Sequence, residues 1–133
     1  MIGKRKTEPL VYDKDGTTFL KMGDWLRKVP PYYLDVDAKI AAMDASGIAI
    51  TMLSTNDPGP EWFGDDGPAA ARLIHDSLAA VIAKHPTRFR GLCVLPLQEE
   101  KAASEELDRC VQKLGFKRIL LYTNLAGAWC DEP

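Results

Sequence analysis

Two histidines, His75 and His85, are the only imidazoles in the chain, and they lie ten positions apart. Chelation of a metal from one helix face needs the i, i+4 spacing, which this pair lacks. No His-x-His, His-Glu-x-x-His or Gly-x-Ser-x-Gly is present, and Gly64-Asp65-Asp66-Gly67 lacks the Lys-Ser/Thr of a phosphate-binding loop. No metal is therefore expected on this chain's own residues. His75, followed by Asp76, reads as a helix-flank histidine meeting solvent. His85 falls at a helix end, where an imidazole suits the negative pole. Cys93, Cys110 and Cys130 are odd in number and form no Cys-x-x-Cys pair. Cys93 lies in an apolar strand and Cys110 on an apolar helix face, where a thiol behaves as a small hydrophobe. The expectation is a reduced, cytoplasmic protein.

The remaining polar residues of interest cluster at element ends. Ser54, Thr55 and Asn56 close one apolar run, Gln98 follows a second, and Tyr122, Thr123 and Asn124 follow a third. On a parallel sheet they share one rim, where α/β proteins hold their ligands. Ser54, Thr55, Thr123 and Asn124 are the candidates for substrate binding, as a polar lining for an anionic or amide-bearing ligand. Ordinary loop polarity and helix capping account for the same residues. Trp62 and Phe63, in the long loop after Ser54, either cover such a site or pack against its rim.

The elements that must position these residues follow from periodicity and punctuation. Leu10 to Tyr12 and Thr17 to Leu20, separated by a turn ending in Asp15-Gly16, read as a small hairpin. Pro30-Pro31 breaks the chain. Asp35 can cap a helix with Val36, Ile40 and Met43 on one face, closed by Gly47. Ile48 to Leu53 is a continuous apolar run, the pattern of a strand buried on both faces. Pro68 opens a helix with Leu73, Ile74, Leu78, Val81 and Ile82 on one face, stopped by His85-Pro86. A strand from Phe89, a helix from Glu100 closed by Gly115, and a strand from Lys117 to Leu121 complete the series. The polar stretch from Thr123 to Pro133 reads as a loop. Such alternation specifies parallel strands with helical crossovers. The chain stops where a further crossover would begin, so it reads as a piece of a larger α/β protein.

Composition agrees with one globular domain: 46% hydrophobic, 27% charged, net charge −2 over 133 residues. The basic triplet Lys4-Arg5-Lys6 is isolated, so a nucleic-acid partner is not expected. No apolar run approaches a membrane span, and the start lacks a signal-peptide core.

Several of these segments together carry a resemblance. Lys39-Ile-Ala-Ala-Met43-Asp44-Ala-Ser-Gly47-Ile48, Leu53-Ser54, and Asp76 through Lys84-His85-Pro86-Thr87-Arg88-Phe89 form its first part. Gly91 through Leu95-Pro96-Leu97-Gln98 and Glu106 through Leu114-Gly115-Phe116 continue it. Together they resemble the amidohydrolase-related (amidohydrolase 2) family, in particular its aminocarboxymuconate-semialdehyde decarboxylase-like subgroup. The resemblance implies an α/β fold, a partial (β/α)8 barrel of roughly strands 2–4. Residues 1–34 would form a hairpin insertion after the first strand, and residues 35–133 the partial barrel domain. It implies a parent with a divalent metal, usually zinc, held by a His-x-His after strand one, by histidines on strands five and six, and by an aspartate on strand eight. None of those positions exists in this chain, which alone is expected to be inactive. The implied reaction is that of a carboxy-lyase on a small unsaturated or aromatic carboxylate. A hydrolase of the same family is the alternative, or a non-catalytic partial-barrel binding or assembly module. Self-association into a homo-oligomer is open.

Overall fold

Asp15 and Gly16 both adopt positive φ, +50° and +73°, the requirement of the two-residue turn whose twist matches a hairpin's strands. The computed structural model that reveals this describes residues 6, 8–55, 58–125 and 128–129. The chain divides into two compact units, Met1–Ala49 and Ile50–Pro133.

In the first unit, β1 (Leu10–Lys14) and β2 (Thr17–Met22) form the expected hairpin, with Tyr12 opposite Phe19 and their rings stacked at 5.8 Å. A third antiparallel strand, β3 (Trp25–Lys28), pairs Met22 with Trp25 and Phe19 with Lys28. Its side chains are all exposed, so no alternation of polarity marked it; the ladder alone defines it. Pro31–Tyr33 forms a 3-10 turn, and α1 (Val36–Ala45) follows. The Asp35 carboxylate accepts from the N–H groups of Asp37 and Ala38 at 2.8 and 3.2 Å, satisfying two of the helix's unpaired donors. Gly47 closes the helix at φ +68°, and the next N–H, from Ile48, returns to the Met43 carbonyl. Of the expected apolar face only Met43 is buried; Val36 and Ile40 are half-buried.

The second unit alternates strand and helix: β4 (Thr51–Leu53), a 3-10 stretch Pro60–Asp66, α2 (Gly67–Lys84), β5 (Phe89–Gly91) and α3 (Glu100–Gln112). β4 and β5 are parallel, with Thr51 opposite Phe89 and Leu53 opposite Gly91. Cys93 bridges Ile119 in the same sense through Cys93 N–H to Arg118 O and Leu120 N–H to Cys93 O. The strand expected over Lys117 to Leu121 is thus reduced to one bridge. The first strand is shorter than expected as well. Its ladder starts only at Thr51, whose N–H meets the carbonyl of Arg88 as the neighbouring strand begins, and Ile50 is 50% exposed. Past Thr123, a two-residue hairpin of β6 (Asn124–Leu125) and β7 (Ala128–Trp129) replaces the expected plain loop.

The core gathers between α2, α3 and the sheet: Cys93, Leu95, Ala103, Cys110 and Phe116 are buried, with Leu78, Ile82 and Leu107 packed against them. Gly91 is forced by this packing, because a Cβ there would fall 2.5 Å from the Phe116 ring. The inward row of α2 runs through Ala71, His75, Leu78 and Ile82, whereas Leu73, expected on that face, is 45% exposed. Ala70 and Ala71 are buried on the same side of α2 as His75.

Candidate functional site

Parallel strands put Ser54 and Thr55 just past the carboxyl end of β4, Gln98 beyond that of β5, and Thr123 and Asn124 beyond the bridged segment. Ser54 and Thr55 are half-buried; Thr123, Asn124 and Gln98 are exposed. The Thr55 hydroxyl oxygen is buried without a hydrogen-bond partner, a donor and acceptor held ready at a strand end. Asn124 is committed by its backbone to the small hairpin, opposite Trp129. Trp62 is exposed and Phe63 half-buried, so the loop tryptophan does not pack down. Asn56 and Cys130 lie outside the described residues.

The strongest constellation of chemical groups lies elsewhere and involves His75, which is buried and not, as its sequence context predicts, meeting solvent. Its side chain is 0% exposed and Glu106, on α3, is 2% exposed. Nδ1 of His75 is 2.6 Å from Glu106 Oε1, and Nε2 accepts the N–H of Val94 at 3.0 Å. A ring nitrogen that accepts a backbone N–H carries no proton. His75 is therefore neutral, with its proton on Nδ1 directed at the carboxylate. Burial lowers the imidazole's pKa from its ordinary value, against the hydrogen bond and charge of Glu106, which raise it.

Glu106 is held further by Arg109, whose Nε donates to Oε2 at 2.9 Å and whose Nη2 donates to Oε1 at 2.7 Å. Arg72 approaches Oε2 at 3.6 Å, and Arg109 Nη1 reaches Asp76 at 2.6 Å. Burial pushes the Glu106 pKa up, but the hydrogen bonds from Arg109 and His75 outweigh it and hold the carboxyl below its ordinary value. Burial pushes the thiols of Cys93 and Cys110 up, so both remain protonated and unreactive. One signal could have revealed this network: a glutamate between Ala103, Leu107 and Cys110 on an apolar helix stripe needs a buried partner.

His75, Glu106 and Cys110 bring three potential ligand atoms within 4.8 Å of one another. They do not suit a cation. Both imidazole nitrogens are engaged, two arginines already neutralise the carboxylate, and the thiol is held protonated. The network is a structural clamp joining α2, α3 and the strand end at Val94. Among the described helices, none is long and apolar enough to cross a membrane.

The chain is 40% identical over 118 residues to a gamma-resorcylate decarboxylase of Polaromonas sp. JS666, covering 86% of this chain and 35% of that protein. A 2-amino-3-carboxymuconate-6-semialdehyde decarboxylase of Dictyostelium discoideum is 31% identical over 116 residues, 84% of this chain and 32% of its own length. In three dimensions the chain is similar to the crystal structure of the dihydroxybenzoic acid decarboxylase of Polaromonas sp. JS666, solved with bound manganese and the inhibitor 2-nitroresorcinol. The TM-score is 0.58 at 39% identity, over 64% of this chain and 26% of that one. The chain thus spans about a third of the length of the curated relatives it matches. Its fold is α/β, a partial (β/α)8 barrel. The amidohydrolase family model matches residues 21–133, and with that span and those relatives the chain belongs to the amidohydrolase family.

Proposed function

We propose that this chain supplies the second to fourth β/α units of a divalent-metal-dependent decarboxylase that removes CO₂ from a small aromatic carboxylate. The observation that carries the reading is the 40% identity to the gamma-resorcylate decarboxylase over 118 residues, alongside a family match over residues 21–133, which include all three strand ends. The matched crystal structure holds manganese, which supports a divalent ion; zinc, implied by the family resemblance, is the other candidate. The ion would be held by residues of the whole barrel beyond those described, since the His75–Glu106–Cys110 cluster does not suit one. On this reading Ser54, Thr55, Thr123 and Asn124 line the substrate's side of the rim, with the unpartnered Thr55 hydroxyl available to a polar substituent. Two free, buried cysteines, Cys93 and Cys110, support a reducing, cytoplasmic setting.

The test uses a full-length barrel containing this segment, assayed with a panel of hydroxybenzoates and with ester and amide substrates. Metal-dependent CO₂ release is expected. Hydrolysis with no CO₂ release would overturn the assignment in favour of a hydrolase. Asn124→Ala is expected to raise KM with little loss of stability, because an exposed strand-end residue contributes little to core packing. An unchanged KM removes Asn124 from the site.

A further inference from the structure

The β4–β5 ladder ends at a defined rung, and a side chain stands where the next rung would be. Leu92 N–H donates to Leu53 O at 2.8 Å, toward β4, and Cys93 N–H donates to Arg118 O at 2.9 Å, on the opposite side. Alternation along a strand returns the N–H of Val94 to the β4 side, and the parallel register of Leu53 with Gly91 makes the Thr55 carbonyl its ladder acceptor. That bond is not made. Val94 N–H goes to Nε2 of His75 at 3.0 Å, from the helix that connects the two strands. Val94 is fully buried, so without the imidazole its N–H would be an unpaired donor in the core.

We infer that His75 is a positioning residue that terminates the β4–β5 ladder, so that the strands part beyond Leu53 and Leu92 while Val94 keeps a buried hydrogen bond. Three features of the site fit this role. The acceptor must be an unprotonated nitrogen, and Glu106 fixes that state by accepting a hydrogen bond from Nδ1–H at 2.6 Å, which keeps the ring's one proton on Nδ1. Glu106 is itself anchored by Arg109 and Arg72, and Arg109 is tied to Asp76, next to His75 in sequence. The Phe116 ring meets the imidazole edge-on at 5.9 Å and limits its rotation. Beyond the parting point, Thr55 is released from the ladder and Val94 leads through Leu95-Pro96 to Gln98. The tautomer of one buried ring thus decides where the sheet stops and the rim begins. The inference is independent of the reaction proposed above.

Hydrogen exchange of the 133-residue chain, read by mass spectrometry on peptides spanning Val94, tests it. His75→Phe keeps the bulk and removes the acceptor; His75→Gln sets a carbonyl oxygen near the position of Nε2. Val94 exchange is expected to rise about tenfold or more in His75→Phe and to return toward wild type in His75→Gln. Equal exchange in the two variants would mean that the ring only fills space, and would overturn the inference. If His75→Phe does not fold, nitrogen NMR of the wild-type imidazole at neutral pH decides. A neutral ring protonated at Nδ1 supports the role, and a ring protonated at Nε2 refutes it.

Discussion

Each nitrogen of the His75 ring has one partner, and the two partners demand opposite things of it: Glu106 a donor, Val94 an acceptor. Only the neutral Nδ1–H form meets both. A pH dependence follows whose sign can be worked out. The groups facing the ring and its carboxylate are Glu106, Arg109 and Cys110 from α3, and Arg72 and Asp76 from α2. Against them the folded pKa of His75 lies below its ordinary 6.5, so the unfolded chain takes up that proton first. The stability is present above pH 6.5 and is lost progressively as pH falls beneath it. Glu106, held below its ordinary 4.5, adds a second loss as pH falls below that value. Urea midpoints measured from pH 8 to about pH 3 should therefore decline in two steps, and His75→Gln should abolish the upper one. An upper step that persists in His75→Gln would assign it to another group. Glu106→Gln, which removes the buried anion shared by Arg109 and Arg72 and leaves Arg109 only Asp76, is expected to cost about 3 kcal/mol, the scale of breaking a buried ion pair. A midpoint shift corresponding to well under 1 kcal/mol would show the pair to be energetically idle.

At the scale of elements, the close approach of α3's trailing segment to β5 rests on a missing side chain. A methyl group at Gly91 would meet Phe116 at 2.5 Å, and the ring belongs to the buried core cluster, so its displacement disturbs packed neighbours. Gly91→Ala should therefore destabilise by roughly 1–3 kcal/mol, and Phe116→Leu in the same chain should offset part of that loss. A thermal transition unmoved by Gly91→Ala would contradict the packing. The helix in the first unit depends instead on its start. Asp35 accepts two N–H groups of α1, and Asp35→Ala should lower stability by about 1 kcal/mol, seen as an earlier loss of helical circular dichroism. Asp35→Asn, which retains an accepting oxygen, should behave like wild type.

At the scale of the whole molecule, the relatives are about three times as long as this chain, and the second unit carries surfaces that a longer β/α array would cover. Ile119 and Leu121 are exposed, and Cys93, Leu107, Val111, Phe116 and Ile119 line a groove of about 340 Å³. Apolar surface of this kind beside a sparsely paired strand promotes association. In size-exclusion chromatography the 14.7 kDa chain is expected to elute as oligomers or aggregates; a sharp monomer peak with a cooperative melt would show the units to be self-sufficient. The chemistry of the His75 cluster also predicts that dialysed chain retains no stoichiometric zinc, manganese or iron by elemental analysis. One tightly held ion per chain would mean that the clamp rearranges to admit it.

Features that depend only on neighbours in the chain can be read without the fold. The Asp15-Gly16 turn, the Asp35 cap, the closing glycines 47 and 115, and the β/α alternation were all legible because each is a local requirement of φ, capping or periodicity. The family was legible for a related reason, since its signals are short runs at element ends. The tertiary structure alone decided which face of α2 turns inward. An apolar stripe drawn through Leu73 and Ile74 points His75 outward, but the buried side of α2 runs through Ala70, Ala71 and His75. The carboxylate that claims the ring lies 31 positions away, on another helix. Strand lengths were likewise decided in three dimensions. A ladder extends only as far as its partner does, and here the N–H that would have continued it is taken by an imidazole. Burial of a polar pair is a property of two elements at once, and no pattern within either one specifies it.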